Sequence, residues 1–409
     1  MTKLEQLINE LCPNGVEYKE LETICGFMSG FAFKTSTFTD SGEPICKTTN
    51  IQNNEISFQG MDCFNLSDYS ENLDKYLIRP NDIVIGMSGT IKVGINRTSD
   101  CCYLNQRVGK FTPNETFLKN KFLYYILCNS VDSLTNGITG SSVKNLSNKD
   151  ILKLSIPVPP IEVQEEIVRI LDNFTELTAE LTAELTARKQ QYEYYRDTLL
   201  SFNSGACSQI VKVERERERE REARSKAIKW LKLEELVDYS QPTKYIVKDT
   251  NYSDEYNTPV LTAGQSFILG YTNESNGIYR ASKEYPVIIF DDFTTSFHWV
   301  DFDFKVKSSA IKILTPKSNL SLEEFRYVYY SMKSLKFIPT NHERHWIGKY
   351  SQISIPMPSL EEQKRIVSIL DRFDKLCNDI SEGIPAEIEA RQKQYEYYRD
   401  KLLTFHEKT

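Results

Sequence analysis

Ser155-Ile-Pro-Val-Pro-Pro-Ile-Glu-Val-Gln-Glu-Glu-Ile-Val-Arg-Ile-Leu-Asp172 returns, little changed, as Ser354-Ile-Pro-Met-Pro-Ser-Leu-Glu-Glu-Gln-Lys-Arg-Ile-Val-Ser-Ile-Leu-Asp371. Each copy opens a long helical pattern. Each pattern ends on the same hexapeptide, Tyr-Glu-Tyr-Tyr-Arg-Asp, at Tyr192–Asp197 and at Tyr395–Asp400. A repeat of this length in one chain means one structural job done twice. It divides the protein into variable segments at 1–154 and 227–353, helical segments at 155–204 and 354–409, and a linker at 205–226.

The helical segments carry the architecture. Glu162 to Phe202 contains no Gly or Pro, so a continuous helix there would run roughly 60 Å at ~1.5 Å per residue. Pro159 and Pro160 precede it, where proline is tolerated. Its centre is three blocks of Glu-Leu-Thr-Ala, beginning at Glu176, Glu180 and Glu184. Ile167, Ile170, Leu171, Phe174, Leu177, Leu181 and Leu185 form an apolar stripe, which Tyr192, Tyr195 and Leu199 extend. In the second copy Ser381-Glu-Gly-Ile-Pro385 should break the helix into two pieces. Two such stripes most simply bury each other as a coiled coil.

The variable segments read as one fold carrying different loops. Asp82-Ile-Val-Ile-Gly-Met-Ser-Gly-Thr90 predicts a short strand and a small-residue turn, as does Tyr285-Pro-Val-Ile-Ile-Phe290 followed by Asp291-Asp-Phe-Thr-Thr295. Phe122–Cys128 and Phe325–Tyr330 predict buried helices. The openings Val16–Ile24 and Ile228–Leu236 match weakly. Loops on a repeated scaffold are the usual way to present two specificities.

The formal net charge of −7 argues against a protein that coats nucleic acid through bulk charge, but leaves room for a local basic cleft. The alternating Glu214–Glu222 tract reads as a solvated linker, because its charges cancel. No run of eighteen apolar residues predicts a membrane span, and Met1–Leu11 is amphipathic rather than a signal peptide. Nine irregularly spaced cysteines form no disulfide framework, so a reduced, cytoplasmic protein is expected.

Several loops hold side chains of the kinds that read base edges, Arg suiting guanine and Asn or Gln suiting adenine. In the first half these are Ser88, Thr90, Lys92, Asn105, Gln106 and Arg107, joined by Ser141, Ser142, Lys144 and Asn145. Thr294, Thr295, His298, Lys305, Lys307, Arg344, His345 and Trp346 occupy roughly corresponding places in the second half. In the hexapeptide, packing accounts for Tyr192, Tyr195, Tyr395 and Tyr398, but not for the repeated polar positions. Tyr192, Glu193, Arg196, Asp197 and their copies Tyr395, Glu396, Arg399 and Asp400 are therefore candidates for binding one kind of partner twice.

Catalytic signatures are missing. There is no GxxxxGKS/T phosphate loop, no GxSxG elbow, no amino-methyltransferase Asn/Asp-Pro-Pro-Tyr/Phe motif and no nuclease carboxylate–lysine set. His342-Glu-Arg-His345 lacks further ligands for zinc, so no metal is expected. These absences point to a non-enzyme. Its rivals are a coiled-coil adaptor whose variable domains bind proteins, and a self-contained enzyme.

Variable domain, helix, variable domain, helix, with Ile-Pro-x-Pro openings and Tyr-Glu-Tyr-Tyr-Arg-Asp ends, resembles the specificity subunit of a type I restriction–modification system over nearly the whole chain. The resemblance implies an α+β protein: two mixed α/β target-recognition domains separated by two long antiparallel helices, in a pseudo-twofold, quasi-circular arrangement with the termini close together. Each domain would read one half of a split, asymmetric site in double-stranded DNA. The helices would dock two methyltransferase subunits, and restriction/translocase subunits would join through those. S-adenosylmethionine, ATP and Mg would belong to the partners, and no membrane is involved. Helix geometry adds a ruler: one four-residue block turns a helix by about 40°, near the roughly 35° of one base pair, so the Glu-Leu-Thr-Ala count is expected to set how many unread bases separate the half-sites.

Overall fold

The computed structural model describes residues 2–136, 145–202, 228–264, 266–339, 343–379 and 382–408. It contains two compact units: Met1–Thr182 with Glu387–Thr409, and Ala183–Ala386. This division cuts across the sequence segments, because each long helix packs its two ends on different units.

The first unit is closed at its base by an antiparallel pair, Glu17–Glu20 with Ser155–Val158. The Ile-Pro-Val opening is therefore a strand, where the sequence suggested only an approach to a helix. A two-stranded ribbon suits it, since a proline lacks the amide that a central strand must donate. The main sheet runs Cys25–Ser29, Val108–Pro113, Ile83–Gly86, Lys92–Ile95, Glu55–Ile56, Ile51–Gln52. Its central strand Ile83–Gly86 is buried throughout, consistent with its unbroken apolar run. The helix Asn120–Asn136 covers one face, packing Phe122, Leu123, Ile126 and Leu127 into the core.

The second unit repeats this plan. Lys229–Lys232 pairs with Ser354–Met357. A sheet runs Val237–Ser240, Ile311–Pro316, Val287–Asp291, Phe297–Val300. These four strands match, in order, the first four of the other unit. The helix Leu322–Ser334 takes the place of Asn120–Asn136, capped by a reciprocal Ser321–Glu324 box.

The first connecting helix spans Ile161–Leu200 without interruption. Its threonines back-bond to the preceding turn, Thr178 Oγ1 donating to the Phe174 carbonyl at 2.9 Å and Thr182 Oγ1 to that of Thr178 at 2.8 Å. The second copy is two helices, Leu360–Asn378 and Ile384–Leu403. The break expected at Gly383 and Pro385 is there, with Pro385 inside a first turn, where its missing amide costs nothing.

The apolar stripe has two roles. Val163, Ile167 and Leu171 are buried in the first unit's core, and Tyr192 and Leu200 in that of the second. Between Leu171 and Tyr192 no residue is buried, and Leu177 is 46% exposed. The first unit stacks Phe174 on Tyr398 at 5.6 Å, and the second stacks Tyr195 on Phe373 at 5.6 Å. In each unit the start of one helix meets the end of the other, which is the exchange an antiparallel pair produces.

Both chain ends belong to the first unit. Val16 bridges Glu407, Leu4 and Leu403 share one core, and Tyr18 donates to the Phe405 carbonyl at 3.0 Å. The expected closeness of the termini is observed.

Candidate nucleic-acid interface and helix-end motif

In the first unit the candidate residues gather at one end of the main sheet. Gly86 stands opposite both Lys92 and Val108 in the strand register. The next residue, Met87, donates its amide to the Arg107 carbonyl at 2.8 Å, and Leu146 donates to the Met87 carbonyl at 2.9 Å. Ser88 then bridges Asn145. Ser88, Lys92, Asn105, Gln106, Arg107 and Asn145 thus come from three chain segments to one end of the sheet, with Thr90 exposed in the turn between Ser88 and Lys92. Gln106 and Arg107 are exposed, and the Asn105 side chain holds the turn by accepting the Arg107 amide at 3.2 Å. Gly30 lets the neighbouring backbone in: a Cβ there would lie 2.2 Å from the Leu104 carbonyl oxygen. Ser141, Ser142 and Lys144 lie outside the described residues. Sequence reasoning missed Ser29, at the end of a strand, and Thr48, in a short 3-10 turn, which reach this end of the sheet from distant parts of the chain. Ser29 Oγ donates to Asn148 Oδ1 at 2.8 Å, and Thr48 Oγ1 to the Arg107 carbonyl at 3.3 Å.

The same hydrogen-bond plan recurs in the second unit. Asp292 donates its amide to the Ala310 carbonyl at 3.0 Å, and His345 donates to the Asp292 carbonyl at 2.7 Å. Asp292 therefore stands where Met87 stands, His345 where Leu146 does, and Arg344 where Asn145 does. Thr294 and Thr295 form the turn, the Thr294 amide donating to Asp291 Oδ1 at 2.8 Å, with Thr295 at φ 60°. That left-handed conformation is uncommon for a β-branched residue. Beside the turn is a cleft of about 430 Å³, whose lining includes Thr294, Thr295, Ser296, His298 and Lys333. His298 Nε2 lies 3.0 Å from the Gly264 carbonyl, and its ring stacks on Phe267. Burial lowers its pKa, favouring the neutral ring. Burial pulls the Lys333 pKa down as well, but Tyr329 and Asp374 outweigh this and raise it, so its charge persists.

Three sequence candidates are corrected. Lys305 is 2% exposed, paired with Glu274 at 2.9 Å, and donates to the Asn276 carbonyl at 2.7 Å. Burial would raise the Glu274 pKa. The Asp249 and Lys248 amides and the Lys305 charge overcome this and hold it at about 2. His345 and Trp346 are also buried, at 0% and 2%. Their loop reads as polar by composition, but the buried side chains anchor it. Trp346 packs on Phe290, and its amide donates to Asp292 Oδ1 at 2.8 Å. Asp292 and Lys312 form a buried ion pair at 3.2 Å, although the facing Oδ2 and Nζ are not aligned as a hydrogen bond. Exposed Arg344 and Lys307 remain; Lys307 Nζ approaches Tyr252 Oη at 3.3 Å.

A polar lock docks each domain helix on its connecting helix. Tyr125 donates to Asp172 Oδ1 at 2.6 Å beside Lys121, 2.6 Å from Oδ2. Tyr330 donates to Asp371 Oδ1 at 2.5 Å beside Arg326, 2.8 Å from the same oxygen. A cation and a tyrosine one helical turn apart thus hold the aspartate that closes each repeated opening.

The hexapeptide divides by face. Tyr192 is buried, so packing accounts for it and it is withdrawn as a partner contact; burial pushes its phenol up to about 12. Tyr395 packs against the first core, and burial raises it similarly, to about 12. Arg196 pairs with Asp197 and Arg399 with Asp400, each at 2.8 Å, with the guanidinium over the tyrosine of its own copy. Glu193 and Glu396 face outward. So do Tyr194 and Tyr397, 51% and 62% exposed, which the stripe argument passed over.

Among the described residues, no group of three or more His, Cys, Asp or Glu side chains could hold a metal, and no helix is long and apolar enough to cross a membrane.

A family model described as the type I restriction modification DNA specificity domain matches residues 13–188 and 227–390. The specificity subunit of the Escherichia coli type I restriction enzyme EcoR124I/EcoR124II is 53% identical over 190 residues, covering 44% of this chain and 45% of that protein. The chain thus spans less than half the length of that relative. A putative type I restriction enzyme specificity subunit of Haemophilus influenzae is 28% identical, covering 99% of this chain and 98% of that one. The crystal structure of a type I S subunit from M. genitalium shares the fold, with a TM-score of 0.59 at 15% identity, covering 95% of this chain and 96% of that one. With matched segments spanning most of its length, the chain belongs to the type I restriction modification DNA specificity family.

Proposed function

We propose that this chain is the non-catalytic recognition subunit of a type I restriction–modification complex. Each unit reads one half of a bipartite, asymmetric site in double-stranded DNA, through the loops at its sheet edge. The observation that carries this is a duplicated core whose equivalent edges differ in side chains: Asn145 against Arg344, Arg107 against Ala310. Identical frames with different edges suit two different half-sites. The protein also scaffolds two methyltransferase subunits, and restriction subunits through them. Glu193 with Tyr194, and Glu396 with Tyr397, are outward-facing equivalents suited to contacting the same partner twice. Arg196, Asp197, Arg399 and Asp400 set the shape of those surfaces. S-adenosylmethionine, ATP and Mg act on the partner subunits, and the complex works in the cytoplasm.

Genome-wide mapping of adenine methylation, with and without this gene, tests the reading. A split motif that vanishes with the gene is expected. A methylome unchanged by its loss, together with sequence-independent DNA binding by the reconstituted complex, would favour the protein-binding adaptor.

A further inference from the structure

We infer that Ile347 reads a thymine in the half-site assigned to the second unit, by apolar contact with the base's 5-methyl group; this rests on the DNA-recognition reading above. Trp346 and Tyr350 are both buried at 2%, and they stack on one another and pack against Phe290. The Tyr350 amide donates to the His345 carbonyl at 2.8 Å, and the Ser351 amide to that of Trp346 at 3.0 Å. These bonds close a tight turn that pushes Ile347, Gly348 and Lys349 outward. Gly348 takes φ 75°, a conformation that suits glycine, with nothing within 4 Å of where a Cβ would stand.

Ile347 is consequently 62% exposed, at the tip of a turn pinned on both sides. Its neighbours Arg344 and Lys349 are exposed cations, the latter paired with Glu343 at 2.5 Å. The turn hangs from Asp292, between the end of the strand Val287–Asp291 and the turn that carries Thr294 and Thr295. Arg344 and Lys349 can meet phosphates, which position a protein without reading sequence. Ile347 has no hydrogen-bonding group. The major-groove feature that suits such a side chain is the thymine methyl.

The test is binding of the reconstituted complex to duplexes carrying its mapped site, with each thymine replaced in turn by uracil, which lacks only the methyl. One replacement, confined to one half-site, should weaken the wild-type complex about four-fold, the effect of one buried methyl at ~0.8 kcal/mol. The same replacement should not affect the Ile347→Ala complex. Ile347 is exposed, so the variant should keep the wild-type melting temperature. The inference is overturned if no thymine responds, if neither half-site contains a thymine, or if the loss is equal in Ile347→Ala. It is overturned also if Ile347→Ala prevents subunit assembly, which would make Ile347 a partner contact. A wild-type complex without any sequence preference would instead sink the DNA-recognition reading itself.

Discussion

Removing one Glu-Leu-Thr-Ala block, Glu180–Ala183, isolates the length of the first connecting helix from everything else. The block lies where no side chain is buried, and the division between the two compact units falls inside it, after Thr182. Leu185 would move into the place of Leu181, so local sequence and stripe are kept. The cost to folding should stay within about 1 kcal/mol. Geometry changes far more: losing four residues shortens a helix by ~6 Å and rotates its C-terminal part by about 40°. One base pair of B-DNA advances ~3.4 Å and turns roughly 35°. Rotation should dominate. A reading edge turned off its groove loses the bases altogether, whereas ~3 Å of axial mismatch lies within the reach of long side chains and a modest bend of the duplex. The methylated motif, mapped by sequencing in cells carrying the deletion, should therefore keep both half-sites and lose one base pair between them. An unchanged spacer with methylation retained would refute the ruler. So would complete loss of methylation by a complex that still folds and assembles.

Arg107→Ala should relax base choice at one position of one half-site, at about 1–3 kcal/mol in competition binding; a uniform loss on all sequences would mark a phosphate contact instead. Asp371→Ala removes the acceptor shared by Tyr330 and Arg326 and leaves a largely buried guanidinium without that partner, so chemical denaturation should show about 2–3 kcal/mol of lost stability, and a value near zero would refute the lock. Tyr192→Phe deletes a buried hydroxyl that makes no hydrogen bond among the described residues, so the melting temperature should hold or rise, and a marked fall would show that the hydroxyl has a partner.

Local pattern was enough for the repeat, the connecting helices, the break at Gly383–Pro385, and the strand and helix at the heart of each variable segment. Each of those signals lies within a few neighbouring residues. Side-chain direction was not legible. The loop holding Arg344, His345 and Trp346 reads as an accessible, mostly polar connection, yet His345 and Trp346 point inward while apolar Ile347 faces out. Lys305 reads as a free cation but closes a buried network with Glu274.

The sequence by itself determined that one structural plan is used twice, because the repeated openings and hexapeptides set the same apolar pattern at both ends of each helical segment, whether or not a breaker interrupts its middle. Tertiary structure alone decided which residues face out. The Ser88, Arg107 and Asn145 edge is assembled from segments far apart in the chain, joined by strand pairing that no local period encodes. The exposure of Ile347 depends on Phe290 receiving Trp346 and Tyr350, and on Asp292 accepting the His345 and Trp346 amides from a segment far along the chain. Burial is set by these long-range neighbours, and a residue's own type does not reveal it.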